Sequence, residues 1–198
     1  YRVIFDGTPF SENLELEKTL NQPMPRSAWG RFQIRNFKET IGAEWETLLR
    51  EVIQNPKRPV EIRLQALEIL QIHGPKPDEK FLAGLVKNRN SQIRAAAIFL
   101  LGTFSWDDVS TLLTEVLIDS DPVVIRRAAE SLIRAGLSPG ILLENKPDLM
   151  TGLRACLQNK DRFVRYSCRQ VLRRISSEDL EENLVNNPNE NVRLAMEF

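Results

Sequence analysis

The sequence predicts an all-α fold, an α-α superhelix (solenoid) of about five helical hairpins preceded by a short N-terminal segment without repeats. Three observations support this prediction. One residue pattern recurs five times, each copy has the period of an amphipathic helix, and no segment of comparable strength alternates with period two. The chain has 198 residues, of which 42% are hydrophobic and 27% are charged. This composition is ordinary for a globular protein with its own core.

Each copy of the pattern has a β-branched residue, then an arginine, then a small or apolar residue three positions after the arginine. The repeated arginines are Arg63, Arg94, Arg126, Arg165 and Arg193. A large apolar pair follows the first four arginines at offsets +6 and +7. Because offsets −1, +3, +6 and +7 lie on one face of an α-helix, we expect that face to be buried.

A shorter amphipathic helix precedes each patterned helix, and a polar turn containing Asn, Asp, Ser or Pro joins the two. Gly74, Gly102 and Gly136 follow patterned helices and are expected to end them in the left-handed conformation. The predicted hairpins are residues 39–74, 77–104, 107–136, 147–175 and 177–198. The last hairpin is truncated, so we expect the solenoid to continue in a longer parent protein.

Residues 1–37 do not repeat, whereas residues 38–198 are assigned to the solenoid. The first six residues alternate as a strand does, and a proline-containing linker follows before Ser27. Ser27 is expected to cap a helix that ends at Gly42 and covers the open end of the first hairpin. The apolar face of this helix is predicted to contain Trp29, Phe32, Phe37 and Ile41.

The five copies resemble HEAT repeats, in the subgroup whose second helix carries Val/Ile-Arg followed by small residues. The resemblance covers residues 39–198 and departs from the pattern at an inserted loop, residues 138–147. It implies a structural role for the repeated arginines, which bond across the turn of a hairpin or between hairpins in that family.

A wider resemblance rests on the Tyr1-Arg2-Val3 strand, the linker Pro23–Trp29 and the HEAT units that follow. Together they resemble a segment of large bacterial cell-envelope proteins. In those proteins a β-propeller similar to sugar dehydrogenases precedes the HEAT repeats, and a c-type haem domain often follows. This resemblance implies a cell-envelope or periplasmic location instead of a cytoplasmic one, and redox chemistry outside this chain.

Residues suited to metal or nucleophilic chemistry are scarce. The single histidine, His73, is predicted at the end of a helix, where it faces the helix dipole. Cys156 and Cys168 are expected to be buried free thiols. We therefore expect no catalytic residue, no metal, no cofactor and no enzymatic activity. A metal-dependent HEAT hydroxylase, which uses repeated His-Glu pairs in known families, does not fit one histidine that is not followed by Glu.

The function predicted is a non-enzymatic scaffold that binds another protein, or a neighbouring domain of its parent chain, on the concave face of the solenoid. The alternative is a nucleic-acid-binding HEAT-like protein of the DNA-repair glycosylase type, because residues 122–175 hold eleven Lys/Arg against four Asp/Glu. A lyase or chaperone for a chromophore protein, as in some HEAT-like families, stays open. The whole chain has 27 basic and 27 acidic residues. It has no apolar run of transmembrane length, so membrane insertion is not expected.

Offsets +1, +5 and +8 from each arginine share a second helix face, which is expected to point outward. Its large members are predicted to form the contact surface: Phe99, Arg127, Arg134, Tyr166 and Arg173. Aromatic residues and arginine dominate binding energy at protein interfaces. The alternative is that Phe99 and Tyr166 pack against the neighbouring hairpin.

Overall fold

A computed structural model of the chain describes residues 13–137, 147–176 and Leu180. Every regular element in these residues is a helix, which confirms the all-α prediction. The predicted strand at residues 1–6, the inserted loop up to residue 146, and most of the last hairpin with Arg193 lie outside the described residues. The chain divides into two compact units, Tyr1–Asp78 and Glu79–Phe198.

The first unit contains a helical hairpin preceded by two further helices. The elements are α1 (Leu14–Leu20), α2 (Ala28–Ile41), α3 (Trp45–Gln54) and α4 (Val60–His73). Helices α3 and α4 pack against each other as the hairpin, and α1 contacts both α2 and α4. Glu17 of α1 forms an ion pair with the buried Arg58, with Arg58 Nη2 2.6 Å from Glu17 Oε1, and this contact fixes α1 beside the turn between α3 and α4.

Helix α2 has the predicted ends but buries a different face. Ser27 accepts a hydrogen bond from the N–H of Gly30, and Gly42 ends the helix with φ of 67°. The buried residues are Gly30 and Ile34, whereas Trp29 is 60% exposed and Phe32 is 56% exposed. Gly30 packs against the linker so closely that a Cβ would lie 1.9 Å from the carbonyl oxygen of Met24. The expectation that Trp29 and Phe32 cover the first hairpin is therefore wrong.

The second unit contains three successive hairpins. Their helices are α5 (Glu79–Val86) with α6 (Ser91–Leu101), α7 (Trp106–Glu115) with α8 (Pro122–Arg134), and α9 (Pro147–Leu157) with α10 (Arg162–Leu172). Helix α8 packs against both α6 and α10, so the second helices of the three hairpins form one layer. This repeated stacking within the unit is the solenoid arrangement that the pattern predicts.

The core of the second unit follows the predicted helix face. The buried members of that face are Ile93, Ala97, Leu101, Ile125, Ala129, Leu132, Val164, Cys168, Val171 and Leu172. Leu100 and Ile133 are half-buried. A helix spacing of three to four residues thus places each β-branched residue, small residue and apolar pair on the same side.

Small residues on the opposite side of α6 and α8 are buried as well. Ala95 and Ser131 are buried, although their offsets from the arginine predict an outward position. Ser131 Oγ donates a hydrogen bond of 2.9 Å to the carbonyl oxygen of Ile98, and this bond joins α8 to α6. The prediction that the +1, +5 and +8 positions all face outward is wrong at Ala95, Ser131 and Gly102, because adjacent second helices press together there.

Gly102 has a packing role instead of the predicted left-handed conformation. Its φ is −63°, whereas Gly74 and Gly136 have positive φ as expected. A Cβ at Gly102 would lie 2.8 Å from Ser131 Cβ and 2.8 Å from Arg134 Nη2. The absent side chain is what lets the end of α6 approach α8.

His73 ends α4 as predicted, but it does not act as a charged partner of the helix dipole. Burial lowers its pKa, and the nearby cations Lys38, Arg31 and Arg35 lower it further. Lys38 Nζ donates a hydrogen bond to the His73 carbonyl oxygen, so a lysine of α2 occupies the negative end of α4. The imidazole is therefore neutral at pH 7.

Cys156 and Cys168 are free and buried, as predicted. The Sγ of Cys156 donates to the carbonyl oxygen of Leu117 at 3.3 Å. A hydrogen bond with Cys156, together with burial, raises the pKa of Cys168 far above its usual range. The Cys168 thiol is therefore protonated at neutral pH, and both buried cysteines pack as small apolar groups. Among the described residues, no helix has the length and apolar character needed to cross a membrane.

The close contact at Gly102 leads to a test with a matched glycine. Gly102→Ala is expected to lower the free energy of unfolding by about 1–3 kcal/mol, because the new methyl group overlaps Ser131. Gly84→Ala is expected to raise it by about 0.5–1 kcal/mol, because Gly84 lies within α5 and no neighbouring atom lies within 4 Å of a Cβ built there. Urea unfolding of both variants, followed by circular dichroism, measures the two effects. Equal effects of the same sign would contradict the packing role of Gly102.

Candidate functional site

The three turns of the second unit have the same hydrogen bonds. The side-chain oxygen of the first turn residue accepts a hydrogen bond from the backbone N–H two residues later. These acceptor residues are Asn88, Asp119 and Asn159. The N-cap residue of the second helix then accepts hydrogen bonds through its side chain from the first N–H groups of that helix. The N-cap residues are Asn90, Asp121 and Asp161. Each second helix therefore starts at a turn of fixed geometry.

Arg94 and Arg165 occupy the same position behind two of these turns. Arg94 Nη1 donates to the carbonyl oxygens of Asn88 and Arg89, at 2.9 and 3.2 Å. Arg165 Nη1 donates to the equivalent carbonyl oxygens of Asn159 and Lys160, at 2.7 and 2.9 Å. Both arginines thus bond backbone groups inside their own hairpin.

Arg94 also connects two hairpins. Its Nε and Nη2 donate to the two carboxylate oxygens of Asp119 at 2.9 and 2.8 Å, and the pair is largely shielded from water. The hydrogen-bonded carboxylate of Asp119 raises the pKa of Arg94. A hydrogen bond with Ser91 lowers the pKa of Asp121, which adds a second link between the same two turns. The turns before α6 and α8 are therefore held together by charge and by hydrogen bonds.

The other repeated arginines have different contacts. Arg63 is buried, and its Nε donates to the carbonyl oxygen of Ile53 at 2.8 Å. The buried Nε of Arg126 has no hydrogen-bond partner among the described residues, and the guanidinium lies 5.6 Å from the ring centre of Phe163. Asn159 stands where the preceding turn has Asp119, so Arg126 has no matching carboxylate at that position.

Phe99, Arg127 and Arg134 come together on the outer side of α6 and α8. The side chain of Phe99 is 42% exposed. The guanidinium carbon of Arg134 lies 4.0 Å from the Phe99 ring centre, and that of Arg127 lies 5.2 Å from it. The two arginines therefore hold an exposed ring between two cations, at distances suited to cation–π interaction.

Arg134 has a structural contact in addition to its position on the surface. Its Nη2 donates to the carbonyl oxygen of Phe99 and, at 2.9 Å, to Ser131 Oγ. The carbonyl of Phe99 belongs to the last turn of α6, where a cation is favoured by the helix dipole. Partial burial lowers the pKa of Arg134, yet a guanidinium remains charged at neutral pH.

Tyr166 of α10 and Arg173, which directly follows α10, lie on one exposed stripe. Tyr166 is 61% exposed, and Arg162 and Arg173 are exposed before and after it. Arg173 Nη1 donates to Gln170 Oε1 at 3.2 Å. Spacings of three and four residues place Arg162, Tyr166, Gln170 and Arg173 on the same side of the helix. Arg162 is not among the contact residues that the sequence predicts, although the Arg162-Phe163 pair at the start of α10 is a signal for it.

We call the combined surface the arginine–aromatic face. It is defined as Phe99, Arg127 and Arg134 on α6 and α8 together with Arg162 and Tyr166 on α10 and Arg173 at its C-terminal end. Glu130 forms an ion pair of 2.7 Å with Arg127 at the edge of this face. Within residues 13–137 and 147–176, no cluster of three His, Cys, Asp or Glu side chains is suited to a metal ion.

A model of the HEAT-repeat family matches residues 78–173. This part of the chain is similar to HEAT repeats. The matched residues contain the three complete hairpins of the second unit, with their turn arginines. No curated protein matches the chain by sequence.

Solved structures of repeat proteins are similar to the chain. Human deoxyhypusine hydroxylase in complex with glycerol has 20% identity and a TM-score of 0.48, and the match covers 79% of this chain and 59% of the hydroxylase. A designed armadillo repeat protein has 15% identity and a TM-score of 0.43, with 93% of this chain and 96% of the designed protein covered. An engineered protein has 15% identity and a TM-score of 0.41, with 91% and 94% covered.

The expectation that the chain has no enzymatic activity needs correction. One of the proteins that it is similar to, deoxyhypusine hydroxylase, is an enzyme. This similarity contradicts the expectation that the chain is not an enzyme. The chain spans 59% of the length of that hydroxylase.

The ion pair between Arg94 and Asp119 can be tested by one substitution. Asp119→Asn retains an oxygen for the turn but removes the charge that Arg94 pairs with. We expect a loss of about 1–2 kcal/mol in the free energy of unfolding, because charged hydrogen bonds in a shielded position are lost. Urea unfolding at low and high salt measures this loss.

Glu115→Gln is the matched control for Asp119→Asn. It removes the same charge from an exposed position on α7, and a change below about 0.5 kcal/mol is expected. A loss at Glu115→Gln as large as that at Asp119→Asn would show that net charge, and not the pair, is responsible.

Proposed function

We propose that the second unit binds a partner protein, or a neighbouring domain of a longer parent chain, through the arginine–aromatic face. HEAT repeats commonly present extended surfaces of this kind to other proteins. The face lies on the second helices, which line the concave side in such solenoids. The proposal concerns where binding occurs, and it is compatible with catalysis elsewhere.

The observation that carries the proposal is the fixed orientation of an exposed aromatic ring. Phe99 is partly open to solvent yet held by Arg127 and Arg134, at ring-centre distances of 5.2 and 4.0 Å. A side chain that is already ordered loses little conformational entropy when a partner covers it. Rigid aromatic groups beside arginines are typical of the residues that dominate interface energy.

The basic composition of residues 122–175 favours a nucleic-acid surface less than the residue count suggests. Arg165 is bonded to turn carbonyls, and Arg126 lies against Phe163. Arg134 donates one of its hydrogen bonds to the Phe99 carbonyl oxygen at the end of α6. Non-specific binding to nucleic acid depends on the number of phosphates contacted. The remaining exposed arginines are few, so we place a protein partner before nucleic acid.

Site-specific photocrosslinking tests this proposal without a known partner. A photoreactive phenylalanine analogue is placed at Tyr166 in the protein expressed in its native cells, and at Thr111 on the exposed side of α7 as the control. We expect a discrete crosslinked product from position 166, reduced at least about threefold by the added change Phe99→Ala. Gel mobility and mass spectrometry measure the products.

The crosslinking result contradicts the proposal in two cases. One is a product from position 111 that equals the product from position 166. The other is the absence of any product from position 166, within or between chains, while the protein is folded.

A further inference from the structure

We infer that the arginine–aromatic face recognises an extended, acidic segment of a polypeptide, with two apolar side chains separated by carboxylates. This inference rests on the proposed function and specifies the chemistry of the partner. It follows from the charges, the free donors and the spacing of the face.

The charge on the face is positive. It carries Arg127, Arg134, Arg162 and Arg173, and Glu130 is the acidic side chain paired with it. The whole chain is neutral, with 27 basic and 27 acidic residues. A cationic patch on a neutral protein selects an anionic partner locally and does not attract every polyanion.

The arginines keep donors available for carboxylates. The pair between Arg127 and Glu130 leaves both side chains more than 40% exposed, at 43% and 45%. Such an exposed pair contributes little to stability, so a carboxylate of a partner can replace Glu130. Arg134 uses Nη2 for its hydrogen bonds to the Phe99 carbonyl oxygen of α6 and to Ser131 Oγ, and the fork of a guanidinium has further N–H groups. Arg173 donates to a neutral amide oxygen of Gln170, which a carboxylate outcompetes.

Spacing sets the length of the bound segment. Phe99 lies on α6 and Tyr166 lies on α10, with α8 packed between the two helices. Packed helices are about 8–10 Å apart, so two intervals span roughly 16–20 Å. An extended chain rises about 3.3 Å per residue, and roughly five or six residues cover this span. One apolar side chain therefore meets Phe99, another meets Tyr166, and carboxylates between them reach Arg127 and Arg134.

The same arginines would also donate hydrogen bonds to phosphates, but the face fits a short nucleic acid less well. The four arginines of the face allow only a few phosphate contacts, and affinity for nucleic acid grows with that number. The two aromatic side chains are on helices separated by α8, so they do not form a continuous stacking platform for successive bases.

A synthetic peptide tests the inference directly. The probe is a fluorescein-labelled decapeptide with two leucines six positions apart, glutamates between them and serines at the ends. The first comparison peptide replaces each glutamate with lysine, and a single-stranded oligonucleotide of ten thymidines is the second. Fluorescence anisotropy with the 198-residue chain measures binding at two salt concentrations.

The expected result is saturable binding of the glutamate peptide and none of the lysine peptide. Arg127→Glu and Arg173→Glu are each expected to weaken binding about tenfold, and Tyr166→Ala at least about threefold. Lys87→Glu reverses a charge on the exposed turn after α5 and is expected to change the dissociation constant less than about twofold. Circular dichroism verifies that each variant is folded, and the lysine peptide tests charge without altering the protein.

Three results overturn the inference. The first is that the glutamate peptide does not saturate the protein below about 1 mM. The second is that Lys87→Glu weakens binding as much as Arg127→Glu and Arg173→Glu do. The third is that the oligonucleotide binds more tightly than the glutamate peptide. A failure here, together with a specific crosslink from position 166, rejects acidic recognition and leaves the proposed protein-binding function intact. If the glutamate peptide does not bind and position 166 also gives no specific crosslink, both the acidic-segment inference and the proposed protein-binding function are rejected.

Discussion

The close approach of α6 and α8 is the constraint on which the surface of the second unit depends. Gly102 leaves no Cβ to collide with Ser131, and Ser131 bonds to the carbonyl oxygen of Ile98. This contact places the end of α6 next to Arg134 of α8, so that Arg134 reaches the Phe99 carbonyl and covers the Phe99 ring. The packing of small residues therefore determines the arrangement of the large exposed ones.

The turns supply the second constraint, since they fix where each second helix begins. Arg94 and Arg165 bond to the carbonyls of their own turns in the same way, and the two turns share one capping pattern. Arg94 additionally pairs with Asp119 of the next turn. A hairpin with a carboxylate at that position is linked to its neighbour, whereas asparagine at the same position of the next turn provides no charge. The hydrogen bonds within the turns are therefore the same in these hairpins, whereas the ion pair between neighbouring hairpins is present at one turn and absent at the next.

Much of the fold follows from the sequence, because helix periodicity links the repeated arginines to buried residues such as Ile93, Ala97 and Leu101. Phe99 and Tyr166 are also exposed where periodicity predicts. Periodicity describes a single helix, however. It does not indicate which residues on the outward-facing side of that helix are covered by the helix of a neighbouring hairpin. Ala95 and Ser131 were misplaced for this reason, although small residues on a helix face indicate close packing. Trp29 was misplaced because Gly30, beside it, packs against the linker.

The central claim is that Phe99 has a fixed position against the arginines of α8. A double-mutant cycle of unfolding free energies with Phe99→Leu and Arg134→Met measures it most directly, because the cycle isolates the interaction of the two side chains. The contact of 4.0 Å between the guanidinium and the ring predicts a favourable coupling of about 0.5–1 kcal/mol. A coupling of zero within error would contradict the account, since it would mean that the ring and the guanidinium do not interact in the folded protein.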